Sequence, residues 1–215
     1  NGTYGQIAVI DAQTGRLKTW VALEKDGDGY ADGKLLKQAC SHRILTLVGV
    51  TPMLADIDGS LKDKIDLCGG VYNIGDSISI RDHNWKSGGY GVMTCRQALT
   101  HKSNVAMFKI LLVNRGDAAF GIWKNITSAE KHTSAMELAA VLNSVYQKNV
   151  LIFPTLEGDS VKEEPNDMMP LGRKYLQEVL VGLNKGDGIQ AAYAPQKVEL
   201  AGIYGDYQGE ELESG

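Results

Sequence analysis

The sequence predicts a single α+β domain, because two strand-like runs open the chain, helical patterns fill its middle, and a strand-like run returns near its end. Its 215 residues, 43% of them apolar, suffice for one substantial core. Gln6-Ile7-Ala8-Val9-Ile10-Asp11 and Arg16-Leu17-Lys18-Thr19-Trp20-Val21 are the first two strands. Ala12-Gln13-Thr14-Gly15 joins them as a turn with glycine at its end, predicting an N-terminal hairpin over residues 5–23. Asp26-Gly27-Asp28-Gly29-Tyr30-Ala31-Asp32 then reads as a solvated acidic loop. A calcium loop would need an oxygen ligand where Tyr30 stands and a glycine where Ala31 stands.

A helical region is expected over residues 34–147. From Cys40 to Ile57 the pattern is mostly apolar and helix-like, with Pro52 marking a kink or boundary. Thr94-Cys95-Arg96-Gln97 has the form of a capping box and predicts a helix ending near His101. Ser103 reads as the N-cap of the next helix, Asn104 to Val113, which carries Val105, Phe108, Leu111 and Leu112 at core-facing spacing. Thr127-Ser128-Ala129-Glu130 reads as a further capping box, opening a helix striped by Met136, Leu138, Ala139, Leu142 and Val145. Leu151 to Thr155 is a short extended segment, and Glu157 to Asp167 a polar loop. Pro170 sits well at the first turn of a helix running through Tyr175, Leu176, Val179, Leu180 and Leu183. Lys197 to Tyr204 is the final strand, so residues 170–208 form a C-terminal helix and strand. No internal repeat interrupts this order.

Composition excludes several classes of function. A net charge of −4 without a basic stripe argues against nucleic acid. The longest apolar run, Ile44 to Val50, is too short to cross a bilayer. No secretory signal precedes the first strand, so any export signal or membrane anchor is expected outside these residues. Cys40, Cys68 and Cys95 include no C-x-x-C spacing and read as small buried hydrophobes, with no metal and no cofactor expected.

Three stretches carry the functional signal. Asp82-His83-Asn84-Trp85 leads through Gly88-Gly89-Tyr90-Gly91 and a helix to Ser103-Asn104-Val105-Ala106. Downstream lie Thr133-Ser134-Ala135-Met136-Glu137-Leu138-Ala139, Phe153-Pro154-Thr155-Leu156 and Val198-Glu199-Leu200-Ala201-Gly202-Ile203-Tyr204-Gly205. Together with the opening strand Ile7 to Gly15, this ordered set resembles the transpeptidase domain of penicillin-binding proteins. The resemblance implies acyl transfer. In that family a serine attacks a D-Ala-D-Ala peptide or a β-lactam, and a lysine one helical turn later takes its proton. A Ser-x-Asn segment lines the groove, and a Lys-Thr-Gly strand holds the substrate carboxylate and pairs with the peptide.

The chemistry-bearing residues of that pattern are replaced here. Leu45 stands at the nucleophile and Val48 at the base, and an alkyl chain can serve as neither. Lys102 stands where the first serine of the second motif belongs, while Ser103 and Asn104 match. In the third motif Ile203 and Tyr204 replace lysine and threonine, Gly205 is kept, and Asp206 follows, which would repel a carboxylate. The one Ser-x-x-Lys, Ser128 to Lys131, follows the Ser-Asn motif instead of preceding it and reads as part of a cap. His83 reads as a loop residue and His101 as a helix-end residue.

The expected architecture is thus a reduced transpeptidase-like fold, with an antiparallel sheet of the N-terminal hairpin and the C-terminal strand packed against a helix-rich subdomain. The expected function is a non-catalytic binding or scaffolding module on the extracytoplasmic face of the bacterial inner membrane, with peptidoglycan stem peptides or cell-wall synthesis proteins as partners. An active transpeptidase or carboxypeptidase with relocated residues is one alternative. An interaction module whose groove is filled with core is the other. The segment Asn114 to His132 is short for the family, and two later sheet strands of the family have no counterpart, leaving a strand edge through which copies could associate.

Overall fold

The computed structural model describes residues 4–33, 38–40, 42–76, 78–128, 131–147, 150–153, 155 and 159–185. It is mixed α and β with small antiparallel sheets. The hairpin expected at the start is present: β1 (Tyr4–Ile10) pairs with β2 (Leu17–Asp26), with Ile7 opposite Val21. Its turn is fixed locally, since one Asp11 carboxylate oxygen accepts the N–H groups of Gln13 and Thr14, each at 2.9 Å. The Thr14 and Gln13 N–H groups hold the Asp11 carboxyl below its usual range. Gly15 then takes a positive φ of 68°, which a glycine adopts freely.

The acidic stretch after β2 is not a loop. Asp26 ends β2, Gly27 turns with a φ of 57°, and β3 (Gly29–Asp32) pairs back onto Leu23–Asp26. Gly27-Asp28 as a two-residue loop between paired strands is a hairpin turn signal that outweighs the polarity of the segment. The sheet order β1-β2-β3 leaves β1 at an edge among the described residues.

Cys40 belongs to a strand, not to the helix expected from it onward: β4 (Gln38–Cys40) pairs with β9 (Lys131–Thr133). The apolar run that follows splits at Pro52, as expected, into α1 (His42–Val50) and α2 (Met53–Asp56), with Pro52 as the N-cap of the second. Two short ladders come next. β5 (Lys64–Asp66) pairs with β8 (Val92–Thr94), and β6 (Val71–Ile74) with β7 (Ile78–Arg81).

Thr94 closes a complete capping box with Gln97 at the start of α3 (Cys95–Thr100), and Ser103 caps α4 (Asn104–Arg115). α4 is the centre of the core. Val105, Ala106, Met107, Phe108, Ile110 and Leu111 are each no more than 3% exposed, so the helix is buried nearly all round. It packs against α1, α2 and α3 and against α5 (Ala119–Ser128). Phe108 meets Tyr72 at 5.8 Å and the edge of Trp123 at 5.6 Å between ring centres.

α5 corrects the expectation for residues 127–130. Thr127 does not open a helix; it lies in the last turn of α5 and donates its hydroxyl to the Trp123 carbonyl at 2.9 Å. The next helix, α6 (Ala135–Asn143), opens instead at Ser134, whose capping box with Glu137 is complete. The competing signal lost because β9, between the two helices, needs extended backbone to pair with β4. α6 packs against β1, and Asn143 donates to the Ala12 carbonyl.

β10 (Val150–Ile152) lies in the expected extended segment. β11 (Glu163–Pro165) pairs with it, so part of the supposed polar loop is strand. Thr155 bridges to the hairpin turn through Arg16, while Pro154 lies outside the described residues. α7 (Pro170–Lys185) begins at the proline that predicts it and buries Leu176, Val179 and Leu180. It docks on α2 and α3, with Arg96 and Glu178 forming an ion pair across the latter contact. The expected strand over residues 197–204 lies outside the described residues.

Candidate functional site

The junction between α3 and α4 holds the matched Lys102-Ser103-Asn104 segment, and helix-end chemistry dictates its geometry. Lys102 has a positive φ of 53°, its N–H donates to Leu99 O at 2.9 Å, and the Ser103 N–H donates to Ala98 O at 3.0 Å. These two bonds close α3 as a Schellman motif, with Lys102 in the left-handed position that glycine usually fills. One residue later the chain enters α4, so Ser103 ends one helix motif and starts the next helix.

Ser103 is fully buried and both roles of its hydroxyl are used. Its Oγ accepts the Ala106 N–H at 3.0 Å and donates to the Asp82 carboxylate, at 3.0 Å from Oδ1 and 2.9 Å from Oδ2. Asp82, 2% exposed, also accepts the Val105 N–H at 3.0 Å through Oδ1. The first turn of α4 thereby has its free N–H groups satisfied by a carboxylate, which the helix dipole also favours. Asn104 turns its amide to the Arg81 carbonyl at 2.8 Å, and its own Oδ1 has no partner among the described residues. The two matched positions, Ser103 and Asn104, are thus drawn into fastening the Asp82 loop to α4.

That loop is held on its other side by glycine. A Cβ on Gly89, whose φ is 61°, would stand 1.9 Å from Gly69 O, and one on Gly70 would stand 2.9 Å from Gly89 Cα. Two backbones therefore touch where side chains would keep them apart. Next to this contact Tyr90 stacks on His101 at 4.8 Å, and its edge-on neighbour His83 lies at 5.9 Å. Burial, followed by the nearby Asp82 charge, raises the Tyr90 hydroxyl above its ordinary pKa. His83 is an exposed loop residue and His101 caps the C-terminus of α3.

The positions assigned to nucleophile and base lie on α1. Leu45 is half-buried, and Val48, 7% exposed, is part of the main apolar core with Leu47 and Val50. Ser128 ends α5 and Lys131 begins β9, so the Ser-x-x-Lys does not lie on one helical turn. Ile203, Tyr204, Gly205 and Asp206 lie outside the described residues. Asp82 is the site residue whose role sequence reasoning missed; no neighbouring pattern marks it, because its partners Ser103 and Val105 lie 21 and 23 residues further on.

The cysteines divide, correcting the reading of all three as buried hydrophobes. Cys95 is buried, and burial, then the Asp63 charge, pushes its thiol up. Cys68 is exposed, with Lys109 Nζ at 3.2 Å from Sγ. Alkylation of the native protein with iodoacetamide should therefore label Cys68 and leave Cys95 unmodified until the protein is unfolded, as read by peptide mass mapping. Among the described residues no three His, Cys, Asp or Glu gather to hold a metal, and no helix is long and apolar enough to cross a membrane.

No family model and no curated protein matches the sequence. Solved structures do. The chain is similar to a peptidoglycan glycosyltransferase from Burkholderia ambifaria, at 14% identity and a TM-score of 0.57, over 84% of this chain and 66% of that one. It is also similar to the TP domain of Burkholderia pseudomallei penicillin-binding protein 3, at 16% identity and a TM-score of 0.60, over 84% of this chain and 62% of that one. The fold is therefore similar to that of a penicillin-binding-protein transpeptidase domain, as a distant and shortened relative. The chain spans less than two thirds of the length of either structure.

Proposed function

We propose that this chain is a non-catalytic relative of the peptidoglycan transpeptidases, serving as a binding or scaffolding module at the bacterial envelope. The observation that carries the reading is the state of Ser103. A nucleophile must offer a free lone pair at an accessible oxygen, whereas this hydroxyl is fully buried between Asp82 and the α4 backbone. Leu45 and Val48, at the positions the resemblance gives to nucleophile and base, add no group that could attack or accept a proton. The partners in this reading are peptidoglycan stem peptides or cell-wall synthesis proteins on the extracytoplasmic side.

Incubation with a fluorescent penicillin, followed by intact-mass measurement, tests it. The expected result is no covalent adduct; one bound penicillin per chain would reject the reading. A second reading, an interaction module whose groove is closed by packed side chains, draws on the burial of Val48 within the core. Calorimetric titration with a D-Ala-D-Ala stem peptide separates the two. Saturable binding supports a groove that still binds, and its absence supports a closed one.

A further inference from the structure

The loop fastened by Asp82 and Asn104 carries an exposed arrangement that the transpeptidase likeness does not use. The Arg81 guanidinium lies over the Trp85 ring, 4.5 Å from its centre, and Lys86 Nζ lies 5.7 Å from the same centre. Both cations are exposed, and neither has a carboxylate or other hydrogen-bond partner among the described residues. Stacking on an aromatic face immobilises a guanidinium while leaving its N–H fork free for bidentate contact with a carboxylate.

The local charge balance points the same way. From Ile78 to Ser87 the loop and its strand carry one acidic residue, Asp82, against Arg81 and Lys86, in a chain whose net charge is −4. Asp82 is buried and occupied by Ser103 and Val105, so it does not neutralise the surface cations through direct contact. The backbone beneath is rigidly tied: Asn104 holds the Arg81 carbonyl, and the Asp82 N–H donates to Gly70 O at 2.9 Å. The cation pair therefore sits on a preorganised base, which lowers the entropy lost on binding.

We propose that Arg81, Trp85 and Lys86 form a docking site for an acidic segment of a protein partner. Tryptophan and arginine dominate the energetics of protein interfaces, and two supported cations suit a short run of carboxylates. A nucleic acid or a long anionic glycan would need a longer basic track than this loop supplies.

Fluorescence anisotropy with a fluorescein-labelled oligoglutamate peptide tests the proposal on the full chain, with fluorescent dextran sulfate as the glycan arm. Saturable peptide binding is expected that weakens as salt rises and weakens by about tenfold in the Arg81→Gln/Lys86→Gln variant. An Arg115→Gln/Lys124→Gln variant, which removes exposed cations that stack on no ring among the described residues, is expected to stay within roughly twofold of the parent. The proposal is overturned by any of three results: no saturable peptide binding, equal losses in the two variants, or tighter Arg81- and Lys86-dependent binding of dextran sulfate than of the peptide.

Discussion

Replacing Asp82 by alanine should lower the unfolding free energy by about 3 kcal/mol, read from the urea midpoint at unchanged slope. The carboxylate serves two buried donors at once, the Ser103 hydroxyl and the Val105 N–H. Its loss leaves both without an acceptor in a place water does not reach, and the penalty is the desolvation of those groups, not the modest net worth of one hydrogen bond. Ser103→Ala should cost less, about 1 kcal/mol, since it removes a cap yet leaves Asp82 the Val105 N–H. Equal losses in the two variants would mean that Asp82 acts only through Ser103. A wild-type midpoint for Asp82→Ala would remove the basis for treating this segment as structural.

Val48→Lys, which installs the family's base at its assigned position, should destabilise the chain by about 3 kcal/mol or more. Val48 is 7% exposed and packs within a core that includes Leu47 and Val50. An ammonium placed there loses its hydration without an established partner to replace it. The double variant Leu45→Ser/Val48→Lys should remain inert toward fluorescent penicillin. If it kept parental stability and became acylated, the site would be an open pocket lacking two residues, and the closed-groove reading would fail. Thermal unfolding and intact-mass measurement give the two readouts separately.

These expectations rest on features that differ in how visible they are from sequence. The hairpin, the break at Pro52, the Thr94 box, the Ser103 cap and the Pro170 start are all written within a few neighbouring residues. They are legible because capping and turn chemistry act over that range. The β4–β9 pair joins residues 38–40 to 131–133, and no local pattern encodes such a partnership. The α5 helix starts directly after a 3₁₀ turn at Gly116–Ala118, without the Ser or Thr signature that marks α3 and α6. The false box at Thr127 shows the converse, a local signal overridden by what the following strand requires. At the candidate site, Ser103 could be read as a cap from its neighbours. Its bond to Asp82 could not, since β8 and α3 lie between the two residues in the chain.

The touching backbones of Gly69, Gly70 and Gly89 bear on how kin of this chain are found. No catalytic chemistry constrains Leu45 or Val48 in the proposed role, and at Val48 the core asks only for an apolar side chain that fits. The glycine contact has no such freedom, because a methyl group on Gly89 would overlap the Gly69 carbonyl and force two loops apart. Searches for further members should therefore weight this paired absence of side chains above any serine or lysine, since it is the shape of the loop that the contact fixes.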